Sequence, residues 1–269
     1  VPDHVQCRDF LSRTNYYQFS GYARFFQVDP AGGDNHFRPG VTLAEIRRVH
    51  ALDALLRDLS LRHLARVETA LRARFSLHYG EKVAPYETFW DQSAYHSVGA
   101  SGMPVHDLVL RDLDRSKAPF IARHRTGSGT YTDLPVWAAV EVMSFGTLSK
   151  CIEYCVEDEV RRRMASDFSV GNQGFSSQIR SFVALRNECA HGSRLWNDVA
   201  KNPPSVLPKY VGRAKRQVGQ FNEKSHFKVF LALDLFNAGV SRPPLAVAVE
   251  RLMKSDATFK SGILNPSPY

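Results

Sequence analysis

Apolar residues recur at three- and four-residue steps through Ile46, Val49, Leu52, Leu56, Leu59, Val67, Leu71 and Phe75, the spacing that lays one stripe along an α-helix. Thr42 and Glu45 stand just ahead of the run. Their spacing makes a capping box, in which the threonine hydroxyl accepts from an early amide and the glutamate reaches back. The pattern predicts one long helix, or two collinear ones, from Thr42 to a stop near Gly80. Asp53 with Arg57 and Glu68 with Arg72 stand four apart. They are expected as solvated ion pairs on the helix surface, with a charged face turned to a functional site as the alternative.

Residues 81–104, with Pro85, Gly99, Ser101, Gly102 and Pro104, read as irregular, and 126–130 as a second loop. Helical spacing returns in Val105 to His124, and again from Pro135 through Trp137, Val140, Glu141 and Leu148 to Ile152, with Trp137 expected in the core. Further helices are expected over Ser177 to Asn197, Ser225 to Phe236 and Pro244 to Leu252, with a Pro- and Lys-rich connector over Lys201 to Gly219. No run competes convincingly as a strand, so the fold class is all-α. The expected division is an N-terminal segment 1–40, a helical core 41–200, and a connector with C-terminal helices 201–269.

Composition adds that the chain folds, and its basic balance favours polyanionic partners, with plain solubility charge as the alternative. Of 269 residues 43% are hydrophobic and 23% charged, the profile of a globular protein rather than a disordered one. Lys and Arg number 35 against 27 Asp and Glu, a net charge of +8, which favours phosphate-bearing partners. The connector, with Lys209, Arg213, Lys215 and Arg216, reads as a solvated link or as a basic arm along such a partner. Cys7, Cys151, Cys155 and Cys189 form no C-x-x-C pair, so buried thiols and a reduced cytoplasmic setting are expected, with no metal and no cofactor. No segment has the length of a membrane span, and the first residues lack a signal-peptide pattern. The chain opens on Val1 rather than Met, which points to an upstream segment.

Chemistry concentrates in Leu185 to Asn197. On a continuous helix Phe182, Leu185, Cys189 and Trp196 would form a buried stripe, leaving Asn187, His191 and Arg194 on the opposite side with Arg186 at its flank. RNA cleavage needs such groups. A 2′-hydroxyl must lose a proton, the leaving 5′-oxygen must gain one, and charge growing on the phosphorane must meet cationic donors. Histidine titrates near working pH and arginine offers a permanent charged fork. The Arg-to-His spacing alone is weak, since Arg57 to His63 and Arg72 to His78 also satisfy it.

Four blocks in order add a resemblance. Asn15-Tyr-Tyr-Gln-Phe-Ser-Gly-Tyr22, the arginine-rich stretch Leu55 to Arg72, Pro135-x-Trp-x-x-x-Glu-x-x-Ser-Phe-Gly146 and Arg186-Asn-x-x-Ala-His191 with Ser193-Arg-Leu-Trp-Asn197 together resemble the Abi-like (abortive-infection) family of the HEPN superfamily. The resemblance implies a HEPN-type helical bundle with N- and C-terminal extensions. It also implies a metal-independent ribonuclease of toxin type whose paired motifs meet in a homodimer with a composite site, with RNA as substrate and an RNA or protein antitoxin as a possible partner. Arg186, Asn187 and His191 take the motif positions. Arg194, Asn197, Glu141, Glu68, Arg72, Tyr17 and Tyr22 are expected to support the site or bind RNA. The tyrosines, Tyr16 included, suit either core packing or stacking on unpaired bases. Gly192 stands where the family pattern has a second histidine. A non-catalytic RNA-binding module and a protein-interaction component remain the alternatives.

Overall fold

A computed structural model describes residues 4–99, 102–238 and 244–267; Ser101 of the irregular stretch lies outside them. Among the described residues there are thirteen α-helices and two two-stranded antiparallel sheets. Two compact units divide the chain. One takes the described residues within Val1–His63, Ala184–Asp234 and Pro243–Tyr269, the other those within Leu64–Val183 and Leu235–Arg242.

The first unit opens with α1 (His4–Arg13), α2 (Tyr16–Ala23), the hairpin β1 (Gln27–Asp29) and β2 (Asp34–Phe37), and the first half of α3 (Leu43–Lys82). The capping box forms as expected: the Glu45 amide donates to Thr42 Oγ1 at 3.3 Å and the Thr42 amide to Glu45 Oε2 at 2.8 Å. The helix is continuous for 40 residues. It runs through Gly80 rather than stopping there, because one helical glycine costs only about 1 kcal/mol, and it ends shortly before Pro85, which disfavours α geometry in its predecessor.

The second unit holds the rest of α3 with α4 (Val105–Arg115), α5 (Pro119–Ala122), β3 (Arg125–Gly127), β4 (Thr130–Tyr131), α6 (Val136–Val142), α7 (Phe145–Tyr154), α8 (Asp158–Asp167) and the larger part of α9 (Asn172–Ala190). The helix expected over Val105 to His124 is therefore two, interrupted before Pro119. The one expected through Ile152 is also two, because Ser144 caps a fresh start by accepting from the Thr147 amide. Asp112 of α4 fixes that break, accepting from the Ser144 amide and the Thr147 hydroxyl at 2.8 and 2.6 Å. Phe168, Phe175, Phe182 and Phe236 pack ring to ring in the core. Trp137 is not core. It is 50% exposed and edge-on to Tyr86, because the buried side of α6 is set by Val136, Ala139 and Val140, about a quarter-turn away.

The fold is all-α as expected, apart from two short hairpins among the described residues. Their strands, two to four residues long, are too short to show a period of two. Gly33 and Gly129, at φ of 94° and 64°, make their turns.

The C-terminal part of the first unit carries α10 (Pro208–Val218), most of α11 (His226–Ala238), α12 (Leu245–Ser255) and α13 (Ala257–Leu264). Helix α10 lies inside the expected connector. Pro208 suits a first helical turn, Val211, Ala214 and Val218 turn inward, and Lys209, Arg213 and Arg216 turn outward.

Cys151, Cys155 and Cys189 are buried, and burial pushes their thiols up to about 12, 11 and 12, so they react slowly. Cys7 is half-buried. Ellman's reagent is expected to titrate Cys7 alone in the native protein and all four cysteines after denaturation. Fast reaction of a second native thiol would contradict the packing. No described helix is long and apolar enough to cross a membrane.

Candidate active site

Helix α9 stops at Ala190, and the way it stops shapes the site. The Ser193 amide donates to the Glu188 carbonyl at 2.8 Å and the Gly192 amide to the Cys189 carbonyl at 3.2 Å. This pair of bonds closes a Schellman motif, with Gly192 in its left-handed position at φ 68°. His191 is the C-cap, its amide donating to the Asn187 carbonyl at 3.0 Å. The single helix face expected to carry Asn187, His191 and Arg194 is thus corrected. Asn187 and His191 share the last turn, while Arg194 and Trp196 lie beyond the helix.

Buried and half-buried groups hold this turn and the segment after it from several sides. Gln18 Nε2 of α2 donates to the Gly192 carbonyl at 2.8 Å, and Arg194 donates to the Gly21 carbonyl. Asp53 of α3 is wholly buried and accepts from the Leu195 and Trp196 amides at 3.2 and 3.0 Å. It also accepts from the Tyr22 hydroxyl at 2.5 Å and the Arg57 guanidinium at 2.7 Å. Burial pushes the Asp53 carboxyl above its ordinary range, and those four donors pull it back. The Asp53–Arg57 pair is therefore no solvated bridge but the centre of a buried network. Burial, with Asp53 alongside, pushes the Tyr22 phenol well up, so its proton stays in the bond to Asp53.

Two further clamps come from the C-terminal part of the unit. Glu188, one residue past Asn187, accepts at 3.1 Å across from His226 Nε2, whose Nδ1 lies 3.2 Å from the Asp198 carbonyl, and Lys201 stands 3.6 Å from Glu188. Trp196 is wholly buried and donates from Nε1 to the Phe259 carbonyl at 3.2 Å. Its indole leaves no room at Gly262, where a Cβ would stand 2.2 Å from Nε1. Asn197, at φ 51°, exchanges side-chain bonds with the Ser267 backbone at 3.2 and 2.8 Å. Asn197 and Tyr22 are thus buried and bonded within the unit rather than open to solvent.

What remains outward is small. Asn187 and His191 are exposed and Arg186 is half-buried. Arg186 Nη1 donates to Asn187 Oδ1 at 2.9 Å, so the guanidinium is tied to the carboxamide one residue on. Among the described residues the His191 ring has no hydrogen-bond partner. Such a turn offers a phosphate one cation and one group able to move a proton.

The other expected site residues are placed as follows. Glu68 and Arg72 form a largely buried ion pair in the second unit, Arg72 also donating to the Val140 carbonyl, so they too are not surface bridges. Glu141 is exposed in that unit. Tyr16 and Tyr17 are 65% and 85% exposed, against the core packing more usual for tyrosine. Gln18, Glu188 and His226 went unread in the sequence; only Asp53, standing on the apolar stripe of α3, carried a legible sign. Among the described residues no group of three His, Cys, Asp or Glu side chains is placed to hold a metal. A family model described as Abi-like protein matches residues 9–197. No curated protein and no solved structure matches the chain.

Proposed function

The chain belongs to the Abi-like protein family, and from that premise we propose that it is a metal-independent endoribonuclease of HEPN type, acting in the cytoplasm in abortive infection. The observation that carries the reading is the turn at 186–192, where Arg186, Asn187 and His191 are presented outward while the residues around them are bonded into the core. His191 accepts the 2′-hydroxyl proton or returns one to the leaving 5′-oxygen. Arg186, held by the Asn187 carboxamide, meets the charge on the phosphorane. One chain supplies one imidazole, so a second copy provides the other in a homodimer with a composite site. An RNA or protein antitoxin would then act by covering this face.

The test is incubation with RNA in EDTA. Cleavage is expected to persist, to leave 2′,3′-cyclic phosphate or its hydrolysed form, and to fail where the residue at the cut has 2′-deoxyribose. Loss on chelation restored by Mg²⁺ would overturn the mechanism. A second reading, RNA binding without turnover, is favoured by Gly192. Glycine suits the left-handed geometry at that position, φ 68°, and it leaves the turn with a single imidazole, that of His191. It predicts salt-sensitive binding with no products.

A further inference from the structure

On the side of α2 away from the motif turn lies a cavity of about 1110 Å³, walled by α1, α2, the β1–β2 hairpin and the first turns of α3. Tyr16, Tyr17 and Phe37 bring aromatic rings to it, Gln27 and Asn35 bring carboxamides, and Arg24 brings a cation. Among the described residues no carboxylate lines it. In the wall, behind the open space, the Gln27 Oε1 atom is buried and has no hydrogen-bond partner, although a buried acceptor left unmade costs about 1–3 kcal/mol.

We propose that this cavity is a nucleobase pocket that takes an unpaired base of single-stranded RNA near the scissile phosphate. The reading of the His191 turn as an RNA site underlies the proposal. The aromatic rings give a base a stacking surface that any sequence can use. The Gln27 and Asn35 carboxamides that line the cavity supply hydrogen-bonding groups for a base edge, and Arg24 with no described carboxylate in the lining suits a strand whose backbone is anionic. Helix α2 couples the two sites. Tyr16 and Tyr17 face the cavity, while Gln18 and the Gly21 carbonyl are bonded to Gly192 and Arg194. One helix width, roughly 10 Å, therefore separates the base pocket from the proton-moving turn, and a strand crossing α2 would reach both. Tyr17 is 85% exposed, which in a folded core would be an uncovered apolar ring and on an RNA path is a platform.

The experiment uses the full chain carrying His191→Ala, so that bound RNA is not consumed. Labelled single strands of about twelve nucleotides, within the usual span of single-strand sites, are titrated by fluorescence anisotropy. Tyr17→Ala is expected to weaken binding about tenfold, the low end of a lost base stack, with no change in unfolding midpoint. Gln27→Leu should weaken it less and alter preference among homopolymers. An RNA lacking the base at the responsive position should bind the parent as weakly as intact RNA binds Tyr17→Ala, the two losses not adding. Equal binding by the parent, Tyr17→Ala and Gln27→Leu, or no RNA binding by the parent, would overturn the pocket. Wild-type cleavage that is indifferent to Tyr17→Ala in rate and cut position would sink the pocket while leaving the nuclease standing. Tyr17-dependent binding by a wild-type chain that never cleaves would support the pocket and sink the nuclease.

Discussion

A His191→Ala chain is expected to cleave RNA roughly 10²–10⁴-fold more slowly than the parent, the contribution usual for one positioned acid or base, while keeping its unfolding midpoint. Stability should hold because the exposed imidazole has no hydrogen-bond partner among the described residues. Equal cleavage by both proteins would mean a contaminating nuclease and remove the enzymatic reading. The composite site adds a second measurement. When His191→Ala chains in excess exchange with wild-type chains, activity per wild-type chain should fall as mixed dimers form. Activity that stays proportional to wild-type chains, or a cleaving protein that sediments as a monomer, would rule the shared site out.

Replacing Asp53 by alanine should destabilise the fold by about 3–5 kcal/mol, the cost of breaking a buried charge pair by removing one partner. The loss strands the Arg57 guanidinium in a nearly buried place and leaves the Tyr22 hydroxyl and the Leu195 and Trp196 amides without their acceptor. Urea unfolding followed by circular dichroism reads it. Adding Arg57→Met to Asp53→Ala should recover part of the loss, since an apolar replacement of the whole pair removes the unpaired charge. A cost below about 1 kcal/mol for Asp53→Ala, the level of an exposed pair, would show that the network does not hold the segment after the motif.

The contrast between Asp53 and the motif helix shows what the sequence exposes and what it hides. Helix existence was legible, because α3 repeats its apolar spacing over many turns and Thr42 with Glu45 marks its start by local chemistry. Burial of Asp53 was harder. An i,i+4 pair looks the same outside and inside, and only phase distinguishes them: buried positions on α3 run Ile46, Val49, Asp53, Leu56, Ser60, Leu64, Val67, so Asp53 sits on the stripe itself. The candidate residues Arg186, Asn187 and His191 were named from residue type and order, which sequence carries. Its supports did not, because Gln18, His226 and Ser267 are far away along the chain, and no local period encodes a meeting between distant residues. Gly192 was read as a departure from a second histidine, whereas it ends the helix. The same local rule would have given this, had the positive-φ demand of a C-terminal turn been applied.

The lock between Trp196 and Asn197 on one side and Gly262 and Ser267 on the other has a bearing on modularity. The family resemblance ends at Asn197, yet that residue's carboxamide is bonded to Ser267, its amide to the Gly262 carbonyl at 3.1 Å, and the indole before it to Phe259. A boundary drawn where similarity fades would therefore cut through a continuous hydrophobic seam. The piece so released would carry an uncovered tryptophan and two backbone-seeking groups with nothing to bind. In this chain the residues after the matched span therefore complete the fold of the matched span itself, by covering Trp196 and bonding Asn197.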